Sequence, residues 1–123
     1  MPVECEIRGA VLALAVIGVV RNEEIERALG GALADPQCRP VMRLLWDGRR
    51  SQTPVSRDDI EWRIDLVQAL ALRGRLSRVA LLGRVDQRLT IDLGRKAVAA
   101  NLLSAVSAGV FTDESDAIAW LEQ

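Results

Sequence analysis

The chain has 123 residues, and its 16 Lys plus Arg residues nearly balance 17 Asp plus Glu residues, giving a formal net charge of -1. This length suits one domain over residues 1–123 with a single core, and the balanced charge supplies no field to attract nucleic acid or an anionic membrane. His and Tyr are both absent, which removes the commonest general base and neutral metal ligand, so we expect no cofactor and no catalytic activity.

Two short features bear on the cellular location. Cys5 and Cys38 form neither a CxxC motif nor a disulfide framework, which favours a reducing cytoplasm. The uncharged run 10–20 is shorter than the roughly 20 residues that span a bilayer, and Glu4 and Glu6 precede it in place of a basic region. We therefore expect a cytoplasmic protein with no stable membrane insertion.

The N-terminal third predicts a hairpin followed by a helix. Apolar and charged residues alternate over residues 3–8, as in an edge strand, and Gly9 permits a tight reversal into an antiparallel strand over 10–20. Asn22 is then expected to cap a short helix. Its inward stripe falls at helical spacing and comprises Ile25, Ala28, Leu29, Ala32 and Leu33.

The centre of the chain predicts a buried strand and a well-specified helix. Residues 41–46 are apolar except for one Arg, as in a strand covered on both faces, and we expect Asp47-Gly48 to close it and open a polar loop. Ser56 and Asp59 have the spacing of a capping box, so a helix should begin at Arg57, with Val55 packing on Ile60 as a hydrophobic staple. Gly74 suits the left-handed residue after the helix.

The last third predicts two more strands and two helices. A buried strand over 78–83 should run parallel to the central strand, since a helix separates them. A strand over 108–111 precedes a terminal helix capped by Thr112 or Asp113. Together the elements predict an α/β fold, with a mixed five-stranded sheet and about four helices.

The helical pattern from Asp86 to Val106 is apolar on two sides. One stripe should face the sheet, and the other should meet a second subunit, an apolar ligand beneath the helix, or the adjacent terminal helix with Trp120. The sequence alone leaves these three open. The first stripe comprises Leu89, Leu93, Ala97 and Ala100, and the second comprises Ile91, Val98, Leu102 and Ala105.

Polar side chains follow the strands that we expect to be parallel, and they should gather at the carboxyl edge of the sheet, where α/β folds place ligands. Such a group can grip an anion or a charged patch of a partner, or it can be a set of solvated loop charges. Ser56, at the start of its helix, reads either as a plain N-cap or as a phosphoacceptor. The remaining candidates are Asp47, Arg49, Arg50, Ser51, Arg84 and Asp113.

The segment 110–121 reads Val-Phe-Thr-Asp-Glu-Ser-Asp-Ala-Ile-Ala-Trp-Leu, and it resembles the closing signature of the bacterial SpoIIAA-like family. The Asp-Gly-Arg at 47–49 and the order of the elements agree with that family. The resemblance implies the fold of the STAS domains of anti-sigma-factor antagonists, which is related in shape to the SEC14 lipid-binding domains.

In those antagonists a Ser at the start of the second helix is phosphorylated, in a segment reading roughly Asp-x-Ser-x-x-Asp-Ser, and the modification breaks binding to an anti-sigma kinase. Here residues 47–56 read Asp-Gly-Arg-Arg-Ser-Gln-Thr-Pro-Val-Ser, with no paired Asp-Ser. The resemblance therefore implies a regulatory module that binds a protein partner, such as an anti-sigma-like regulator, without a clear phosphoserine motif.

Three hypotheses follow. The preferred one is a non-catalytic module that binds a protein partner through the 47–56 segment and the next helix, while a homodimer would form through the second apolar stripe of the helix over 86–106. The second is a carrier of a small apolar ligand or lipid beneath the helix over 86–106, as the SEC14 likeness suggests. The third is an enzyme with Asp47 and Asp113 as a carboxylate pair and Arg49 or Arg84 stabilising charge, which would require the carboxylates to converge in one cleft.

Overall fold

The computed structural model describes residues 2–52, 56–100 and 104–123. In chain order the elements are β1 (Val3–Arg8), β2 (Val11–Gly18), α1 (Asn22–Leu33), β3 (Met42–Ser51), α2 (Arg57–Leu72), β4 (Leu76–Leu82), α3 (Arg88–Ala99), β5 (Ser107–Phe111) and α4 (Glu114–Leu121). The strands form one sheet in the order β1-β2-β3-β4-β5, with β1 antiparallel to β2 and every other pair parallel. The prediction of a mixed five-stranded α/β sheet that starts with a hairpin is confirmed.

The sheet separates two apolar layers because side chains alternate between its faces. Helices α1 and α2 cover the larger layer, in which Leu12, Leu14, Val16, Leu44 and Val79 are buried. Helix α4 covers the smaller layer, formed by Leu45, Ala80, Leu82, Ala117 and Leu121. Gly94 of α3 faces Val110 and Leu81, which places α3 on the same side of the sheet as α2.

Strand β3 is longer than the sequence predicts. The prediction ended it at Asp47-Gly48, but pairing with β2 continues through Ile17↔Arg50 and Gly18↔Ser51. The register with β2 shifts by one residue between Ala15 and Ile17, so a bulge absorbs the extra residue of β3. Residues 47–51 are therefore the projecting end of a strand, and the prediction of a loop there was wrong.

Several predicted helix boundaries agree with the structure. Helix α2 begins at Arg57 with the predicted capping box between Ser56 and Asp59, and Gly74 has a φ of +75° after its end. Helix α4 is capped by the Asp113 side chain, which accepts from the backbone N–H of Asp116 at 3.0 Å. The predicted staple from Val55 lies outside the described residues.

Two predicted helix ends differ from the structure. Asn22 is the first residue of α1 and not its cap, and the cap position, Arg21, makes no side-chain capping bond. The side chain of Asn22 donates instead to Asp59 at 3.2 Å. Helix α3 ends at Ala99 rather than near Val106, and the backbone N–H of Ala105 bonds to the Gln68 side chain at 3.1 Å.

The buried face of α3 combines residues from both predicted stripes. Ile91 and Ala97 are buried together with Gly94, whereas Leu89 is 63% exposed. Val98 is half-buried, Ala105 packs on the core from a turn, and Leu102 lies outside the described residues. Within the described residues, no helix is both long enough and apolar enough to cross a bilayer.

Candidate functional site

The carboxyl edge of the sheet carries most of the predicted polar residues, but the sheet divides them between its two faces. Asp47 and Arg49 lie beside Glu114 of α4. Ser51 and Arg84 line a cavity on the opposite face, between α2 and α3. The edge therefore presents two separate polar groups and not one cluster.

Asp47 and Arg49 form a tight ion pair on the α4 side. The guanidinium of Arg49 donates from Nε to Oδ1 of Asp47 at 3.0 Å and from Nη2 to Oδ2 at 2.8 Å, and the backbone N–H of Arg49 adds a bond of 3.0 Å. Burial alone would raise the pKa of Asp47, but these bonds and the charge of Arg49 together lower it. Each charge therefore already has its partner.

The other polar residues of the α4 side also have structural contacts. Arg49 reaches Glu114 at 3.3 Å, and exposed Arg50 lies 3.9 Å from Glu4. The Asp113 carboxylate caps α4, while the Asp47 carboxylate forms the ion pair with Arg49. The two carboxylates considered for an enzyme are thus engaged in different tasks, and this geometry provides no acid–base pair.

Ser56 lies exposed at the start of α2 and closes the capping box. Its Oγ accepts from the backbone N–H of Asp59 at 3.1 Å and donates to Oδ2 of Asp59 at 2.9 Å. The hydrogen bond from Ser56 is the main reason that the pKa of Asp59 is lowered. Both functions of the hydroxyl are used, so capping explains the residue.

A cavity of about 400 Å³ lies between α2, α3 and the sheet at its carboxyl edge. This volume is within the range of roughly 300–1,000 Å³ that small-molecule sites occupy. Its walls are mostly apolar. They include Trp46, Val79 and Leu81 of the sheet, Ile60, Ile64 and Val67 of α2, and Ile91, Gly94 and Ala97 of α3.

Polar groups are found where the cavity meets the edge. The Gln87 side chain donates to the backbone carbonyl of Gly48 at 2.8 Å and accepts from the backbone N–H of Arg84 at 2.6 Å. The Arg84 guanidinium bonds to the carbonyl of Arg49 and pairs with Asp86 at 3.0 Å. These bonds tie the start of α3 to the end of β3.

Arg63 is a cavity residue that the sequence reasoning missed. Its guanidinium lies over the Trp46 ring, 5.9 Å from the centroid, and Nε donates to the Asn22 side chain at 3.4 Å. Burial lowers the pKa of Arg63, and the charge of Asp59 partly opposes this. The sequence contains a signal for it, because Ile60, Ile64 and Val67 recur at helical spacing in α2 and Arg63 is three residues after Ile60.

Three exposed apolar side chains lie at the same edge of the sheet. Val19 follows β2 and is 70% exposed, while Val85 and Leu89 lie between β4 and the first turn of α3 and are 74% and 63% exposed. The edge therefore combines an apolar rim with the cavity entrance.

Comparisons with known proteins bear on the fold. No family model matches the chain. No curated protein matches it either. Among solved structures, an uncharacterised DUF3478-family protein from Shewanella loihica with a SpoIIAA-like fold is 22% identical, with a TM-score of 0.63 over 97% of this chain and 91% of that one. The chain has a SpoIIAA-like fold.

A second solved structure supports the SpoIIAA-like fold. An anti-sigma factor antagonist from Mycobacterium paratuberculosis is 16% identical, with a TM-score of 0.68 over 98% of this chain and 93% of that one. The described residues of the SpoIIAA-like chain contain no group of three or more His, Cys, Asp or Glu side chains placed to hold a metal ion.

Proposed function

We propose that this SpoIIAA-like chain is a cytoplasmic, non-catalytic regulatory module that binds a protein partner through the carboxyl edge of its sheet. The observation that carries the proposal is the apolar rim, in which Val19, Val85 and Leu89 are mostly exposed. Apolar side chains grouped at one edge favour association with a protein surface. The anti-sigma factor antagonist supports a partner of the anti-sigma type.

The test is a two-hybrid or titration measurement against the anti-sigma-like proteins encoded in the same genome. Val85→Asp should abolish binding because it places a charge in the apolar rim. Leu72→Asp is a matched control, since Leu72 is also 74% exposed but lies at the other end of α2. The proposal would be contradicted if Val85→Asp bound the partner as tightly as the unaltered chain does, or if Val85→Asp and Leu72→Asp lost binding to the same extent.

We further propose that phosphorylation of Ser56 would weaken the partner complex. A phosphate there would lie beside Asp59, whose carboxylate now accepts from the Ser56 hydroxyl at 2.9 Å, so like charges would replace a hydrogen bond. Ser56→Asn keeps a good N-cap without a phosphorylatable hydroxyl. Treatment with a kinase should weaken partner binding of the unaltered chain and leave Ser56→Asn unchanged, and loss in both would refute this role.

A second candidate function is that of a carrier or sensor of a small apolar ligand. The specific observation in its favour is the cavity of about 400 Å³ with apolar walls under α2 and α3. Native and denaturing mass spectrometry of the purified protein distinguish the candidates. A small apolar molecule released on denaturation supports the carrier, a ligand-free dimer supports self-association, and a bare monomer leaves the partner module.

A further inference from the structure

We infer that the cavity between α2 and α3 binds a medium-chain fatty acid, with the carboxylate at Arg63 and the chain between the two helices. The inference rests on the second candidate function and specifies its ligand. It is drawn from the shape of the cavity, the balance of charges around it and the contacts of Arg63.

The apolar part of the cavity suits a single unbranched chain. From the carboxyl edge, α2 presents Ile64 and then Val67, and α3 presents Ile91 and then Ala97. Both helices begin at this edge, so their later residues line the deeper end. A flexible hydrocarbon chain can follow these walls, and its burial is favourable in proportion to the apolar area removed from water.

The charged residues that line the cavity favour an anion, although the whole chain has a net charge of -1. Among the described residues they are Arg63, Arg84, Asp86 and Arg88. The carboxylate of Asp86 already pairs with Arg84 at 3.0 Å. Arg63 and Arg88 therefore leave an excess of positive charge among the residues that line the cavity, although Asp59, which does not line it, acts on Arg63.

Arg63 is the cation best placed to hold a carboxylate. It is half-buried, and no described carboxylate lies within 4.0 Å of its guanidinium. Among the described residues, its hydrogen bond is the long one of 3.4 Å to an amide oxygen of Asn22, and the charge of Asp59 acts on it without a close ion pair. A partly desolvated guanidinium with spare donors binds a carboxylate strongly, because the planar fork matches its two oxygens.

Arg78 provides a matched comparison on the other face of the sheet. It also lies over a tryptophan, 5.3 Å from the centroid of Trp120, and is half-buried. Its guanidinium donates to the Trp120 carbonyl at 2.7 Å, and it does not line the cavity. Arg78 therefore shares the burial and stacking of Arg63 but not its access to a ligand.

The experiment is a calorimetric titration of the full chain with decanoate and with 1-decanol, both below their aggregation limits. We expect decanoate to bind with one molecule per chain. Arg63→Met should weaken decanoate by at least roughly tenfold, the effect of losing a charge-assisted hydrogen bond, and leave 1-decanol unchanged. Arg78→Met should bind decanoate as the unaltered chain does.

The possible failures are distinguishable. If both ligands bind but Arg63→Met binds decanoate normally, the assignment of the carboxylate is refuted and the apolar carrier stands. If neither ligand binds the unaltered chain, the fatty-acid site and the carrier function both fail. If Arg63→Met does not fold, decanamide replaces the substitution, and equal affinity of the unaltered chain for decanoate and decanamide refutes the inference.

Discussion

Replacing Gly94 with Ala should stabilise the protein, although Gly94 is buried on the face of α3 that packs against the sheet. A Cβ at this position would lie 3.5 Å from Cγ2 of Val110 and 3.6 Å from Cδ1 of Leu81. Both distances are ordinary van der Waals contacts, so the methyl group fits without displacing a neighbour. Most additions to a packed core cause strain, and here the structure predicts the opposite.

The size of the effect combines two gains. Ala is better than Gly inside a helix by about 1 kcal/mol, and burial of one methyl group adds up to about 0.8 kcal/mol. The free energy of unfolding of Gly94→Ala should therefore rise by about 1–2 kcal/mol. For a chain of this length that corresponds to an increase in Tm of about 4–8 °C.

Urea denaturation followed by circular dichroism measures this change in the free energy of unfolding. A second variant, Gly30→Ala, separates the helix-propensity gain from the gain due to burial of the methyl group. Gly30 lies in α1, is exposed, and has no atom within 4 Å of the position of a Cβ, so its replacement should show the helix-propensity gain alone. Gly94→Ala should gain at least as much. A loss of stability in Gly94→Ala would show that α3 packs closer to the sheet than described and would refute the reasoning.

Three other substitutions test the site and its surroundings. Ser56→Ala should lower the free energy of unfolding by about 1 kcal/mol, because α2 loses its N-cap, and chemical denaturation measures this. Asp47→Asn should lower stability at pH 7 by about 1.5–3 kcal/mol, since the charged hydrogen bonds from Arg49 are lost. Folding lowers the pKa of Asp47, so this contribution to stability is complete above the unfolded pKa of about 3.9 and is lost as the pH falls toward the folded pKa. The urea midpoints of the unaltered chain and of Asp47→Asn should therefore converge on acidification. Gly109→Ala should lower Tm through strain of about 1–3 kcal/mol, because its Cβ would lie 2.8 Å from Cε2 of Phe111.

Each of these substitutions has a matched control or a contrary outcome. Ser115→Ala changes an exposed serine of α4 and should not reproduce the loss at Ser56. Asp92→Asn removes an exposed carboxylate from α3, and if its acid profile matched that of Asp47→Asn, the ion pair would not be the cause. An unchanged Tm for Gly109→Ala would mean that the Phe111 ring moves aside without cost.

The features that followed from sequence are those with short-range causes. The capping box of Ser56 and Asp59 and the reversal at Gly9, where φ is +61°, depend on neighbouring residues and on the backbone freedom of glycine. Alternation of apolar and charged residues likewise identifies β1, and continuous apolar runs identify the buried strands. Local rules therefore predicted the order and type of the elements.

The errors arose where distant pairing decides the structure. The polar residues 47–51 look like a loop, but backbone bonds to β2 hold them in β3 regardless of side-chain character. The end of α3 was also misplaced, and beyond it the backbone N–H of Ala105 donates to the side chain of Gln68 in α2. Such partners are far away in sequence, and periodicity within one segment contains no information about them.

The candidate site was predicted only in part. The sequence predicted that its polar residues lie at one edge of the sheet, but it did not predict that they are divided between the two faces. The reason is the bulge in β3, where a shift of one residue changes the face to which the following side chains point. The cavity depends on the distance between α2 and α3, and the pattern of apolar residues in the sequence does not specify that distance. Arg63 was not predicted because a charged residue between the apolar residues Ile60 and Ile64 of a helix ordinarily faces solvent.

The two edges of the sheet differ in their protection against self-assembly. Strand β1 exposes Glu4, Glu6 and Arg8, and charges on an edge strand resist pairing with another chain, whereas residues 107–111 of β5 contain none. Strand β5 is therefore the less protected of the two edges. A symmetric contact between the β5 strands of two copies would bury the β5 edge of both and leave only their charged β1 edges exposed. Such a contact would stop at a dimer and would not extend into fibres.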